Sequence, residues 1–472
     1  MLKSTVGTWV NYATTALFQV LFASRFGAGT EASAYALSFA IAVGIGATFI
    51  GTTQAIYLPR LLTAGDDVSL ATVGRMARLL AIALLVFAVV GASASLTSPV
   101  IAPKLDLPDI HLALLLRVGC GFGFLQVVVA QAAALCWARG ARLLPAMSPA
   151  IPSLLASAAV VANRQVSPLT LYLLLIVGSV LQLLVLMAVS GRGLVFSPTP
   201  RDRRGEPPML VSLGLFATAQ VILPFELAIA AHGSQTGGAY FNYAYRAVTV
   251  AQALIVGGIA AASLPDWSAY VRAGARERLQ LSLTRSLSAA ALALTLAASV
   301  ALVASTALVR LAFQRGNFTG HDTRVVSTIV VACLVGFVAE GVTLVLGQAL
   351  AADRRLPIMI IFGQGRVAVL IALVAVLGLT GGPVGVAAGY SVANLIALAL
   401  QLLYLHRDGL LAQDDPSLVR STARVMICTG ATGLGLKVLG VAWPMSVALV
   451  VAMFAAATVS VRHGIRPLRA PH

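Results

Sequence analysis

The chain is 472 residues long, 59% hydrophobic and 10% charged, with a mean hydropathy of +0.93. So small a polar fraction cannot cover the surface of a water-soluble globule, which leaves an integral membrane protein. A formal charge of +16 would suit nucleic acid if the cations clustered between base-stacking aromatics on a soluble face; here they are spread one loop at a time, the pattern of membrane topology, and no nucleic-acid partner is expected.

A run of about 20 mostly apolar residues suffices to cross a bilayer. Fourteen such runs follow one another at 6–24, 34–57, 78–98, 112–136, 145–162, 168–190, 209–231, 239–263, 286–309, 325–348, 357–378, 383–405, 421–440 and 443–461. Lys3 ahead of the first resembles the start of a signal peptide, but no small-x-small cleavage site follows, so the run is read as an uncleaved helix. Pro149 and Pro152 interrupt the fifth. The pattern predicts an all-α polytopic membrane protein. With the N-terminus in the cytoplasm, 22 of the 32 Lys and Arg fall in inside loops and termini, 6 in outside loops and 4 within spans. That asymmetry predicts that both termini are cytoplasmic.

Short stretches recur in order. Ala34-Tyr35 returns as Ala239-Tyr240, Leu58-Pro59 as Leu264-Pro265, and Arg142-Leu143-Leu144-Pro145 as Arg354-Arg355-Leu356-Pro357, at offsets of 205 to 212 residues. A parallel repeat of this kind predicts two pseudo-symmetric six-helix lobes, 1–190 and 209–405. The proline-rich segment 191–208 is then a cytoplasmic linker, and 406–472 adds two further spans and a cytoplasmic tail. Two lobes about a cavity is the geometry of alternating access.

Ionisable side chains in a span cost about 2.5–3.5 kcal/mol at mid-bilayer, so they are expected to face a cavity or a partner. Arg246, in the stretch Tyr240-Phe241-Asn242-Tyr243-Ala244-Tyr245-Arg246, is either a cavity cation for an anionic substrate or the ion-pair partner of Glu226; Asn242 and Tyr243 are candidate sugar contacts. Glu226, after Pro224, is a counter-ion, a proton carrier or a solvated mouth residue. Arg366, within Gly363-Gln364-Gly365-Arg366, either contacts substrate or pairs with Glu340. Arg117 and Lys437 lie near span ends and are expected to snorkel to the interface. Cys120, Cys136, Cys333 and Cys428 have no metal-ligand spacing and read as small core residues. No HExxH, GxSxG, P-loop or paired-carboxylate constellation lies in an extramembrane segment, so no catalytic residue, metal or cofactor is expected, and the protein is not read as an enzyme.

The polar island Leu311–Thr323, between the ninth and tenth spans, has turn residues in Arg315-Gly316-Asn317, and Thr319 with Asp322 three residues on reads as a capping box. The segment Phe313 to Thr323 resembles the F-x-R-G-x-F-T-x-x-D-T loop of the MurJ/MviN-type lipid II flippase family, with Arg315, Gly316, Phe318, Thr319 and Asp322 on the signature. Phe26-Gly27-Ala28-Gly29 is similar to that family's turn after span one, Val177 to Leu183 to its sixth span, and Tyr243-Ala244-Tyr245-Arg246 to its Y-A-x-R in span eight. The resemblance implies a flippase that carries a polyprenyl-diphosphate-linked saccharide, lipid II-like or a polysaccharide precursor, across the bacterial cytoplasmic (inner) membrane. Its partners would be the lipid-linked saccharide, membrane lipids and an unlocated coupling ion, H+ or Na+, with the chain acting as a monomer. The chain departs from the family pattern where an arginine-aspartate pair falls near Phe18-Gln19, cavity arginines near Gly46-Ala47 and an aspartate near Ser33. Two other readings stand beside this one: a multidrug/cation antiporter of the same superfamily, which needs an acidic cavity, and a non-transporting scaffold of an envelope-synthesis complex.

Overall fold

The computed structural model describes residues 2–54, 61, 67–101, 109–141, 143–163, 165–190, 195–197, 209–232, 234–352, 356–409 and 416–464. Each of the fourteen apolar runs falls on helix within these residues. Eight helices among them are long and apolar enough to cross a membrane, and many of their large apolar side chains, Leu85, Leu96 and Val376 among them, point outward. That outward apolar surface is suited to hydrocarbon, where backbone groups find partners only within helices. The second and third repeat matches involve Leu58-Pro59, Arg142 and Arg354-Arg355, which lie outside the described residues, as does the linker apart from 195–197.

The chain divides into two compact units, Met1–Tyr243 with Phe313–Asp322, and Ala244–Ala312 with Thr323–His472. The first begins with α1 (Leu2–Phe26), α2 (Thr30–Thr52), α3 (Leu70–Ile101) and α4 (Asp109–Ala138). Phe49, Leu79, Phe87, Cys120 and Val127 form a core where α2, α3 and α4 meet. The fifth run becomes a short α5 (Leu143–Met147) and α6 (Ala150–Ala162). Pro152 is harmless there, because it falls in the first turn of α6, where a missing N–H removes no helical bond. α7 (Pro168–Ser190) follows and is held by side chains of the stretch that resembles the family's sixth span. Gln126 Nε2 donates to Ser179 Oγ at 2.6 Å and Gln182 Nε2 to Ser148 Oγ at 3.0 Å. A Cβ on Gly178 would lie 2.5 Å from Pro152 Cα. The seventh run is broken into α8 (Met209–Gln220) and α9 (Ile222–Ala231). Pro224 is the reason: it has no N–H to offer the Gln220 carbonyl.

α10 (Gly237–Arg272), α11 (Arg276–Phe313) and α12 (Gly320–Ala352) follow. α13 (Leu356–Arg407) holds the eleventh and twelfth runs and is a hairpin, broken at Gly382 (φ 56°, ψ −144°) ahead of Pro383. Its two halves fold back so closely that a Cβ on Gly385 would overlap the Leu377 carbonyl. α14 (Pro416–Val438) and α15 (Trp443–Gly464) complete the chain, and α15 packs Val450 against Val303 and Ala304 of α11. Of the cysteines, Cys428 is exposed and the other three are buried.

One small addition to the helical fold is a parallel ribbon of β1 (Asp67–Ser69) and β2 (Val195–Ser197). These segments lie outside the apolar runs, where no helix claims their backbone groups. The ribbon also bears on topology, because it joins the loop after the second run to the linker after the sixth. In the second unit, Arg276 of the loop after the eighth run donates to the Asp408 carbonyl, after the twelfth, at 2.9 Å. In the first, Asn317 after the ninth run reaches Arg25 after the first. Each contact joins loops of the same parity, as alternate crossings require.

Gly178→Val is expected to overpack α7 on α6 and lower stability by about 1–3 kcal/mol, read as earlier thermal unfolding in detergent. Val177→Leu, on an exposed neighbour, is expected to leave the transition where it was.

Candidate functional site

The signature loop is built by local chemistry. α11 ends at Phe313, the chain turns through Gly316 (φ 59°), and α12 starts behind a reciprocal cap in which Asp322 Oδ2 accepts from Thr319 N–H at 2.7 Å and Thr319 Oγ1 from Asp322 N–H at 3.2 Å. This is the capping box expected from the sequence. Asp322 also accepts from Tyr240 Oη at 2.8 Å. Phe318 is buried against Phe313 and Tyr243, with ring centroids 5.8 and 5.6 Å apart. The exposed Arg315 accepts through its carbonyl from Phe318 N–H at 3.1 Å.

Within the first unit the loop lies on the turn after α1. Asn317 donates twice, from its backbone N–H to the Ser24 carbonyl at 2.9 Å and from Nδ2 to the Arg25 carbonyl at 2.6 Å. Tyr243 Oη donates to the Gly27 carbonyl at 2.6 Å. Tyr243, which the sequence grouped with the cavity candidates, is therefore packed among Phe22, Phe313 and Phe318. Tyr240 and Ser33, which the sequence did not single out as site residues, belong to the same constellation: Ser33 Oγ accepts from Ala239 N–H at 3.0 Å.

Of the other candidates, Glu226 is fully buried in α9 and Asn242 is buried in α10. Arg246 is half-buried, one helical turn beyond Asn242. A cavity of about 480 Å³ lies beside the break between α8 and α9, lined by α2, α3, α8 and α9 through Ile41, Ile45, Phe49, Val86, Leu213 and Ala217 among others. Its walls are almost all carbon, so it suits hydrocarbon and not a phosphate or a sugar.

In the second unit Arg366 is joined to Glu340 by an ion pair, and its Nε donates to Asn394 Oδ1 at 2.8 Å. Tyr390 Oη donates to the other Glu340 oxygen at 2.6 Å, and Asn394 Nδ2 to the Tyr390 carbonyl at 2.9 Å. The structure thus forms the Arg366–Glu340 pair that the sequence left open beside a substrate role. Tyr390 and Asn394, one turn apart on the second half of α13, were not singled out; their spacing of four was the available signal. Neither terminal cation needs the interface alone: Arg117 donates to Ser95 Oγ and Lys437 Nζ to Ser305 Oγ at 3.0 Å. Among the described residues no three His, Cys, Asp or Glu side chains gather as a metal site.

A family profile described as lipid II flippase MurJ matches residues 22–456. The chain belongs to this family. Its fold is similar to that of a MurJ lipid II flippase in an inward closed conformation, with a TM-score of 0.79 at 15% identity over 99% of this chain and 100% of that one. More distant likeness extends to an inward-facing multidrug transporter of the MATE family (TM-score 0.63, 14% identity, 85% of this chain and 94% of that one). A transporter of the same superfamily from Pyrococcus furiosus, described as having a binding pocket of reversed polarity, has a TM-score of 0.60 at 14% identity over 86% of this chain and 95% of that one. No curated protein sequence matches the chain. Against the MurJ pattern, the departures in α1 and α2 are packed positions. Phe18 and Gln19 are buried, and a Cβ on Gly46 would already meet the Gly123 carbonyl at 3.2 Å.

Arg366→Met is expected to strand the Glu340 carboxylate and lower stability by about 3–5 kcal/mol, seen as reduced yield and earlier unfolding. Adding Glu340→Gln removes the stranded charge and is expected to recover most of the loss. A double variant as unstable as the single one would assign the stability to the bonds with Asn394 and Tyr390.

Proposed function

We propose that this MurJ-family chain moves a polyprenyl-diphosphate-linked saccharide, lipid II-like or a polysaccharide precursor, from the inner to the outer leaflet of the bacterial cytoplasmic membrane by alternating access. The family match across 22–456 carries the reading. We place both termini in the cytoplasm, on the asymmetry of 22 inside against 6 outside cations, so the signature loop faces outward. The moving parts are the two six-helix lobes, 1–190 and 209–405, with α14 and α15 outside the repeat. Arg246 is assigned to the diphosphate, because a guanidinium offers planar paired N–H donors to phosphate oxygens. Asn242, one turn away, is assigned to the saccharide.

The multidrug antiporter reading needs a carboxylate open to a cation. Glu340 is already held by Arg366 and Tyr390, which weighs against that reading. The protein is taken to act as a monomer.

In vesicles containing the purified protein and a lipid-linked saccharide, Arg246→Ala is expected to slow flipping roughly ten- to hundred-fold, the range for losing charge-assisted hydrogen bonds, while Arg246→Lys retains part of the rate. An Arg246→Ala protein that flips like the unmodified one at equal amount would remove Arg246 from the mechanism. Absence of flipping by the unmodified protein, with glycosyltransferases co-purifying, would favour the scaffold.

A further inference from the structure

The starts of α2, α4 and α7 follow the first, third and fifth apolar runs, so alternate crossings put them at the same face of the membrane. There they frame a cavity of about 230 Å³ that lies wholly within the first unit. Glu31, His111 and Ser167 bring it a carboxylate, an imidazole and a hydroxyl. Each of these residues stands just ahead of an apolar run, at the boundary between water and hydrocarbon, and Leu114 and Leu115 line the cavity about one turn deeper. Its floor is pinned. Tyr172 of α7, fully buried, hydrogen-bonds Ser38 of α2 at 2.9 Å and packs its ring on Phe122 of α4, with centroids 6.4 Å apart. Gly119 of α4 leaves room for that hydroxyl, which a Cβ there would meet at 3.2 Å. The cavity is therefore preformed, and among the described residues no hydrogen bond or ion pair engages the Glu31 or His111 side chain.

Two features of the lining select the occupant. No Lys or Arg is among the described lining residues, although the chain carries 32 of them. An anion would face the Glu31 carboxylate with no cation to hold it, whereas an ammonium gains a charge-assisted hydrogen bond there and two further acceptors in the His111 ring and the Ser167 hydroxyl. The cavity also opens onto the apolar outer surface: Leu114 on its wall is exposed, and so is Leu173, one turn along α7 from Leu169. A water-soluble amine has no use for that apolar track. We propose that the cavity binds the headgroup of an aminophospholipid from the leaflet on that side, with the ammonium on Glu31 and the acyl chains along Leu114 and Leu173. It is smaller than the roughly 300–1,000 Å³ of sites for drug-sized molecules, so it holds a headgroup and not a whole lipid or a saccharide. The orientation given above makes the leaflet the outer one; the binding itself does not depend on the transport reading.

The test measures, by native mass spectrometry of the purified full chain in detergent, the binding of phosphatidylethanolamine and of phosphatidylglycerol with identical acyl chains. The two lipids share the glycerophosphate and the tails, and only the first carries an ammonium. The unmodified protein is expected to prefer phosphatidylethanolamine about ten-fold, the low end for a charge-assisted hydrogen bond, and Glu31→Gln, at an exposed position, to remove the preference. Leu114→Lys brings a cation to the wall on a stem that reaches the interface and is expected to turn the preference towards phosphatidylglycerol. Equal binding of the two lipids by the unmodified protein, or a preference that survives Glu31→Gln, would overturn the proposal. So would an unchanged preference in Leu114→Lys, which would put the site elsewhere. Glycerophosphoethanolamine, the same headgroup without tails, is expected to compete about a hundred-fold less well than the lipid; equal competition would assign the cavity to a soluble amine instead. Binding is read without transport, so each outcome stands whether or not the protein flips its own substrate.

Discussion

In hydrocarbon a backbone N–H or C=O finds no water, so a spanning chain must remain helical wherever its own packing does not supply a partner. The places where this chain stops being helical are therefore informative. At Gly382 the two halves of α13 fold onto each other so closely that only glycine fits at Gly385. At Val221 the Gln220 carbonyl, deprived of a donor by Pro224, lies over Gly44, where a Cβ would approach it to 3.1 Å. Between α11 and α12 the released groups are caught by the Thr319–Asp322 cap and by Asn317 on the end of α1. In each case the break is supported by a specific neighbour.

The same scarcity of partners governs side chains. Glu340 and Arg366 are tolerable in the interior because each charge meets the other and a neutral group besides, Tyr390 on one side and Asn394 on the other. Neutral pairs such as Ser38 with Tyr172 and Ser263 with Ser286 join helices in the same manner. In a bilayer such bonds fix helix register as much as they add stability, since lipid offers apolar side chains no reason to prefer one another.

What the sequence revealed follows from the range of the interactions involved. Hydropathy over 20 residues is a local sum, so the fourteen runs were legible, and so was the capping box, which needs only Thr319 and Asp322. The break at Pro149 and Pro152 was visible, although not that Pro152 would fall harmlessly in a first turn. The contact of Gly27 with Asn317 was not legible, because no local pattern reports on a neighbour that far along the chain. Tyr243 shows the same limit: the stretch Tyr240 to Arg246 announces a polar helix, but which tyrosine bonds to a distant carbonyl depends on packing. The two short strands escaped notice because three residues carry no period.

The departures of this chain from the MurJ pattern acquire a physical sense from packing. Where the pattern has cavity arginines in the second span, Gly46 lets α2 approach the Gly123 backbone, whose carbonyl a Cβ there would meet at 3.2 Å. Ser33, in place of an aspartate, is still an acceptor and still receives the Ala239 N–H; the hydrogen bond survives without the charge. Phe18 and Gln19 replace an ion pair by a ring and an amide, which need no counter-charge. The first unit has thus exchanged electrostatics for contact. If Arg246 is the cation that meets the diphosphate, it does so with fewer helpers than the family pattern provides. Discrimination among substrates must then rest less on total charge and more on the fit of one planar guanidinium and its neutral neighbours.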